Sequence, residues 1–181
     1  MIKHSSKILF IITSCITLIS CSNSSTLYEE LALSMLNDPQ KPSGYAVSMV
    51  SNNPRARGEN ASGWTCKDKQ ILIDAGVVTC KESGRSGVYL DFSDEGKKLM
   101  IGEPWGDTTL RNVRVIAVKQ IAQQITAIKM ADDSHATVSF DRIYSEHTPF
   151  SNHVLQKLIQ LNTPQKAQTN FTLIDNEWVI Q

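Results

Sequence analysis

The chemistry this chain could perform rests mainly on four cysteines, four histidines and a few clustered acids. Cys66 and Cys80 stand too far apart for a dithiol redox motif, which wants its thiols a couple of residues from each other. None of His135, His147 and His153 lies at a metal-like spacing from either cysteine, so a two-cysteine zinc site would lack its remaining ligands. In an exported chain the expected state of Cys66 and Cys80 is a disulfide. Closing a loop of that size stabilises by about 3 kcal/mol in the chain-entropy picture. Glu146, His147 and His153 form the only histidine cluster, beside the Thr148-Pro149-Phe150-Ser151 break. Asp91, Asp94 and Glu95 lack the spacing of a calcium loop, and Ser93-Asp94-Glu95 reads better as a helix cap. The chain contains no GxSxG, HExxH, P-loop or GxGxxG motif. These residues point to no catalytic constellation, no metal site and no cofactor.

Cys21 belongs to a different pattern. Met1 to Lys7 is short and basic, and Ile8 to Ile19 (ILFIITSCITLI) is uncharged and largely apolar. Roughly a dozen apolar residues make the core of an export signal, whereas a spanning helix needs about twenty. Leu18-Ile19-Ser20-Cys21 then places a branched apolar residue three before a cysteine and a small residue just before it. This segment resembles the precursors of bacterial lipoproteins, over its first twenty-one or so residues. The resemblance implies cleavage before Cys21, leaving residues 1–20 as a signal peptide, and a diacylglycerol on its thiol. It also implies palmitate-type acylation of the new amino group. Ser22, where an aspartate would favour inner-membrane retention, implies the periplasmic face of the outer membrane in a Gram-negative cell. Each buried methylene contributes about 0.8 kcal/mol, so two or three acyl chains make such an attachment effectively permanent. Residues 21–26, with Ser22-Asn23-Ser24-Ser25, read as the lipidated cysteine and its tether.

Composition narrows the remaining functions. At 181 residues and 41% hydrophobic, the chain has room for one domain or two very small ones. Basic and acidic residues number 18 each, and removing Lys3 and Lys7 with the signal leaves 16 against 18. That balance provides no electrostatic reason to expect nucleic acid.

The elements that must position these residues fall on either side of Gly102 to Asp107. Thr26 and Glu29 suggest a capping box opening a helix to about Asn37, with Leu27, Leu31, Met35 and Leu36 on its apolar face. Tyr45 to Val50 is apolar and short, a strand or a helix, and Asn52 to Gly63 is a loop. Lys69 to Ala75 reads as a helix closed by Gly76, Val77 to Cys80 and Val88 to Phe92 as strands, and Ser93 onwards as a short helix. The run from residue 64 to 100 resembles the wing portion of winged-helix domains. Such domains often bind DNA, but Lys67, Lys69, Lys81 and Arg85 are expected on a solvated face, and a lipid-anchored export does not meet the chromosome.

Beyond Asp107 the chain reads as strands. Val113, Val115 and Ala117 alternate in one, and Ile125 to Met130 and Ala136 to Tyr144 flank the Ala131-Asp132-Asp133-Ser134 turn. On the last of these Val138, Phe140 and Arg142 share one face, and Thr137, Ser139 and Asp141 the other. A helix is expected from the Thr148-Pro149 break to about Asn162, with Val154, Leu155, Leu158 and Leu161 as its stripe. Phe171 to Ile174 and Glu177 to Ile180 flank Asp175-Asn176 as a two-residue hairpin.

The expected class is α+β. A helical, winged-helix-like part (27–101) packs with a mostly antiparallel sheet carrying one helix (108–181). Among the aromatics, Trp178 is expected in the core. Trp105, between Pro104 and Gly106, is expected either to cover the seam between the parts or to contact a partner. The functional expectation is a membrane-anchored, non-enzymatic envelope component whose partner is another envelope protein. An immunity or inhibitor lipoprotein that neutralises a toxin or lytic enzyme is the alternative, and an envelope enzyme with an unrecognised site is a further one.

Overall fold

The computed structural model describes residues 26–53, 65–83, 87–107 and 110–181. The signal peptide, Cys21, most of the tether, Trp64 and Arg85 lie outside them. Among the described residues eight strands join in one antiparallel sheet: β1 (Gly44–Asn53), β2 (Val78–Ser83), β3 (Gly87–Phe92), β4 (Trp105–Gly106), β5 (Arg111–Met130), β6 (His135–His147), β7 (Gln165–Ile174) and β8 (Glu177–Ile180). Their order is β2-β3-β1-β5-β6-β7-β8, with β4 paired to β5 off that path. The four α-helices among the described residues are short: α1 (Glu29–Leu36), α2 (Gln70–Asp74), α3 (Asp94–Lys97) and α4 (His153–Leu158). None is long and apolar enough to cross a membrane.

β5 is the spine of the sheet. Its first half pairs with β1, from Asn52↔Arg111 to Gly44↔Lys119, and its second half with β6, from Val118↔His147 to Met130↔Ala136. Ile116, Ala117 and Val118 are all 0% exposed, because both faces of the strand are covered at its middle. Gly44 closes the β1 pairing where nothing larger fits, since a Cβ there would stand 2.1 Å from the Val118 carbonyl oxygen.

Alternation alone splits β5 into two strands, because register shifts interrupt its period. One falls between Ala122 and Gln124 and another between Ile125 and Ala127. Each inserts one unpaired residue, so buried Ala122 and Ile125 lie an odd number of residues apart. A strict two-residue pattern cannot show that.

Among the described residues two larger apolar clusters cover the sheet. In the first, Leu27, Ala32 and Leu36 pack with Ala122, Ile125, Ala136, Val138, Phe140, Phe171 and Trp178. In the second, Val77, Val78, Leu90 and Leu99 meet Val113, Val115, Ile116 and Phe150, with Leu72 and Ile73 of α2 against them. Phe92 stacks on Phe150 at 5.9 Å between ring centroids.

Several local expectations change. The capping box is not formed: α1 starts two residues later than Thr26 would set, with Tyr28 at the N-cap and no side-chain cap. Glu29 and Glu30 in its first turn favour that end of the helix dipole instead. Tyr45 to Val50 resolves as strand. α4 stops at Leu158, far short of Asn162, because Ile159 is extended and the Asn162 amide donates back to the Tyr144 carbonyl at 2.8 Å. Val154 and Leu158 are consequently 49% and 72% exposed, so the expected apolar stripe is not buried. The order helix, strand, strand, helix between α2 and α3 is present, but a winged-helix arrangement is not shown. β3 continues through β1 into the main sheet.

Other local features match. Gly76 ends α2 at φ 70°, and Ser93 caps α3 by accepting from the Gly96 amide at 3.1 Å. Asp175 and Asn176 both take positive φ, 51° and 67°, as a tight β7–β8 turn requires.

Candidate functional site: a cleft between α1 and the sheet

Cys66 and Cys80 are joined in a disulfide, with Cα atoms 5.6 Å apart. It ties the 3₁₀ turn Lys67–Lys69 that leads into α2 to strand β2. The Cys66 amide also donates to Glu82 of β2. Asp68 accepts from the amide and hydroxyl of Thr65, both at 2.7 Å, and those bonds lower its pKa. Lys69, partly buried beside it, is lowered by desolvation.

Glu146, His147 and His153 are not assembled into one site. Glu146 pairs with Lys119 at 2.8 Å, while His147 on the adjacent, oppositely directed position places Nδ1 3.0 Å from Ser151 Oγ. His153 is exposed at the start of α4. Asp91, Asp94 and Glu95 each pair with a different lysine, Lys81, Lys97 and Lys98, at 3.2, 3.3 and 2.6 Å. Among the described residues no group of histidine, cysteine, aspartate or glutamate could hold a metal ion. Trp105 is 45% exposed in β4, opposite Asn112.

The arrangement with the most binding character lies where the first apolar cluster ends. On β6, Ala136, Val138 and Phe140 face α1 and are buried, and the next position of that face is Arg142. Across the sheet, Phe140 lies between Ile125 and Ala167, and Arg142 between Ala122 and Gln165. Beside them opens a cleft of about 450 Å³, a size suited to a small ligand. Met35 and Leu36 of α1, Phe140, Ala167, Val179 and Ile180 supply its apolar walls; Asp38, Lys41, Gln120 and Arg142 its polar points.

The α1 side of the cleft is set by a side chain that imitates a strand. The Asn37 carboxamide donates to the Ala122 carbonyl and accepts from the Ala122 amide, each at 2.9 Å. The Gln120 amide next to it donates to the Ser43 carbonyl at 3.0 Å. These bonds continue the edge of β5 past the end of β1 and fix where the chain leaves α1.

Arg142 is held by neutral groups. Its Nη1 donates to Gln120 Oε1 at 2.6 Å, Nη2 reaches Gln165 Oε1 at 3.4 Å, and the guanidinium lies over the Tyr144 ring at 5.1 Å. Nε is buried and has no hydrogen-bond partner among the described residues, and no carboxylate there pairs with the guanidinium. On the reverse face of the same strands the charges are matched, with Asp141 and Lys166 at 2.7 Å. Thr137 bonds Asn170 at 3.1 Å there and Gln168 bonds Ser139 at 2.9 Å. An Arg in line with an apolar row was visible in the alternation. Gln120, Gln165 and Lys41, which come from other strands and the turn after α1, carried no local signal.

A second cleft of about 610 Å³ lies between α2 and the Phe150 turn, lined by Met49, Ile71, Pro149, Phe150 and His153 among others. Among the described residues it brings together no orphaned polar group.

No family model matches this chain, and no curated protein or solved structure matches it.

Proposed function

We propose that the chain is a non-enzymatic envelope lipoprotein, held on a membrane by lipid on Cys21, whose folded part binds another envelope component. The address rests on Leu18-Ile19-Ser20-Cys21 and is supported by the Cys66–Cys80 disulfide, a bond that persists in oxidising compartments. Burial begins at Leu27, 5% exposed. Six residue steps separate Cys21 from Leu27 and reach at most about 22 Å when fully extended, so the domain stays close to the lipid surface. With Ser22 after the lipidated cysteine, the membrane is the outer one in a Gram-negative cell. The α2-to-α3 run is read as packing for the sheet, not as a nucleic-acid surface.

The observation that carries the binding reading is Arg142: a guanidinium without a carboxylate partner among the described residues, set at the edge of an apolar cleft. A buried polar edge left open costs stability unless something recognises it. Exposed Trp105 is the proposed anchor for a protein partner, and Trp105→Ala should reduce recovery of a resident envelope protein in membrane pulldowns. Labelled palmitate tests the anchor: the wild-type chain should take it up and the Cys21→Ser variant should not. Equal labelling of both would remove the lipoprotein reading, and Ser22→Asp should shift a Gram-negative chain to the inner membrane.

A further inference from the structure

We infer that the cleft between α1 and β6–β8 takes a monoanionic amphiphile: one acyl chain on the apolar walls, its carboxylate on Arg142. This rests on the reading of that cleft as the binding site and names its ligand class. The under-bonded edge of Arg142 is the pair Nε and Nη2, the fork on which a carboxylate forms two parallel hydrogen bonds once the groups covering the buried Nε move aside. Nε has no partner among the described residues, and Nη2 has only the 3.4 Å contact to Gln165. Gln165 is exposed at the start of β7, so its side chain can turn away as the carboxylate arrives. The opposite edge is already held by Gln120, which fixes the guanidinium plane before binding.

Charge selects the headgroup. Among the described residues the charged groups lining the cleft are Asp38, Lys41 and Arg142, a net of one positive charge. A single carboxylate balances it. A dianionic phosphate would meet Asp38 with charge to spare, and a neutral alcohol would leave the Arg142 fork open. Apolar walls from Met35, Leu36, Phe140 and Ile180 suit an alkyl chain, and the short reach from Cys21 to Leu27 holds the cleft near a surface rich in such chains.

The test is calorimetric titration of the full chain in phosphatidylcholine nanodiscs, with empty nanodiscs subtracted, using octanoate, octanol and octyl phosphate. Octanoate should bind at least about tenfold more tightly than octanol, the discrimination expected of a charge-assisted pair. Arg142→Gln should bring octanoate down to the octanol level while leaving octanol unchanged. Lys41→Gln, at an exposed position where folding is not at stake, should weaken octanoate about two- to fivefold. A purely structural Arg142 would instead lower the melting temperature in Arg142→Gln without changing the ratio of octanoate to octanol. That result overturns the inference, as do equal affinities for the two, tighter binding of octyl phosphate, or no binding of any. If none binds while palmitate still labels Cys21, the inference fails and the anchored reading stands.

Discussion

The helix layers over the two halves of the sheet differ in how they are held. α1 is eight residues long, keeps Ala32 at 0% and Leu36 at 8% exposure, and ends in the Asn37 clamp on β5. α2 is five residues long, buries none of them, and leaves Ile71 77% exposed. Leu72 and Ile73 pack only partly on the second cluster, and the disulfide just before α2 ties it down as well. One layer is kept by burial and one by a covalent staple, as suits a helix too short to bury a full face. Burial holds the half that carries the orphaned Arg142, where walls must be apolar and stationary for a cleft to keep its shape.

Breaking the first layer should cost most. Phe171 is 0% exposed beneath α1, and Phe171→Ala should destabilise by about 3–5 kcal/mol, read from denaturant unfolding. Reducing Cys66–Cys80, or replacing both cysteines by serine, should lower stability by about 3 kcal/mol. Hydrogen exchange should place that loss at α2 and β2 and leave α1 protected. Asn37→Ala removes two hydrogen bonds to the Ala122 backbone and should cost about 1–3 kcal/mol, with exchange rising at Gln120 to Ala122. A loss spread evenly over both halves in either variant would erase the contrast.

The smallest effect belongs to the β5–β6 turn. Asp132 is held at a pKa of about 2, against an ordinary 3.8, by the Ser134 amide first and then by His135 and the Ser134 hydroxyl. A depressed carboxylate stabilises the fold above its unfolded pKa and loses that contribution as pH falls through the folded value. The thermal midpoint of the wild type should therefore drop between pH 4 and pH 2 slightly more than that of Asp132→Asn.

How much of this was legible follows from which signals are local. The Gly76 stop, the Ser93 cap, the Asp175-Asn176 turn and the Ala131–Ser134 turn each depend on neighbours in sequence, and all four can be read from residue type. β5 cannot, because its register shifts move Ala122 and Ile125 out of alternation. The α4 stripe misleads, since Val154 and Leu158 have helical spacing but Asn162 is drawn back to Tyr144. Membership of β1, β2 and β3 in the same sheet as the C-terminal strands is set by pairings across long stretches of chain. At the cleft, the phase of Arg142 behind Val138 and Phe140 was readable. Its neutral partners Gln120 and Gln165 depend on register and were not.

On the proposed reading, binding belongs to the half held by burial. Methyl NMR of the full chain in nanodiscs, titrated with octanoate, tests it directly. Met35, Leu36, Ala167 and Ile180 should shift together and saturate, while Val78, Leu90 and Val113 stay in place. Shifts at Met49, Ile71 and Leu72 beside Phe150, with the α1 methyls unmoved, would contradict the account and move the binding site to the stapled half.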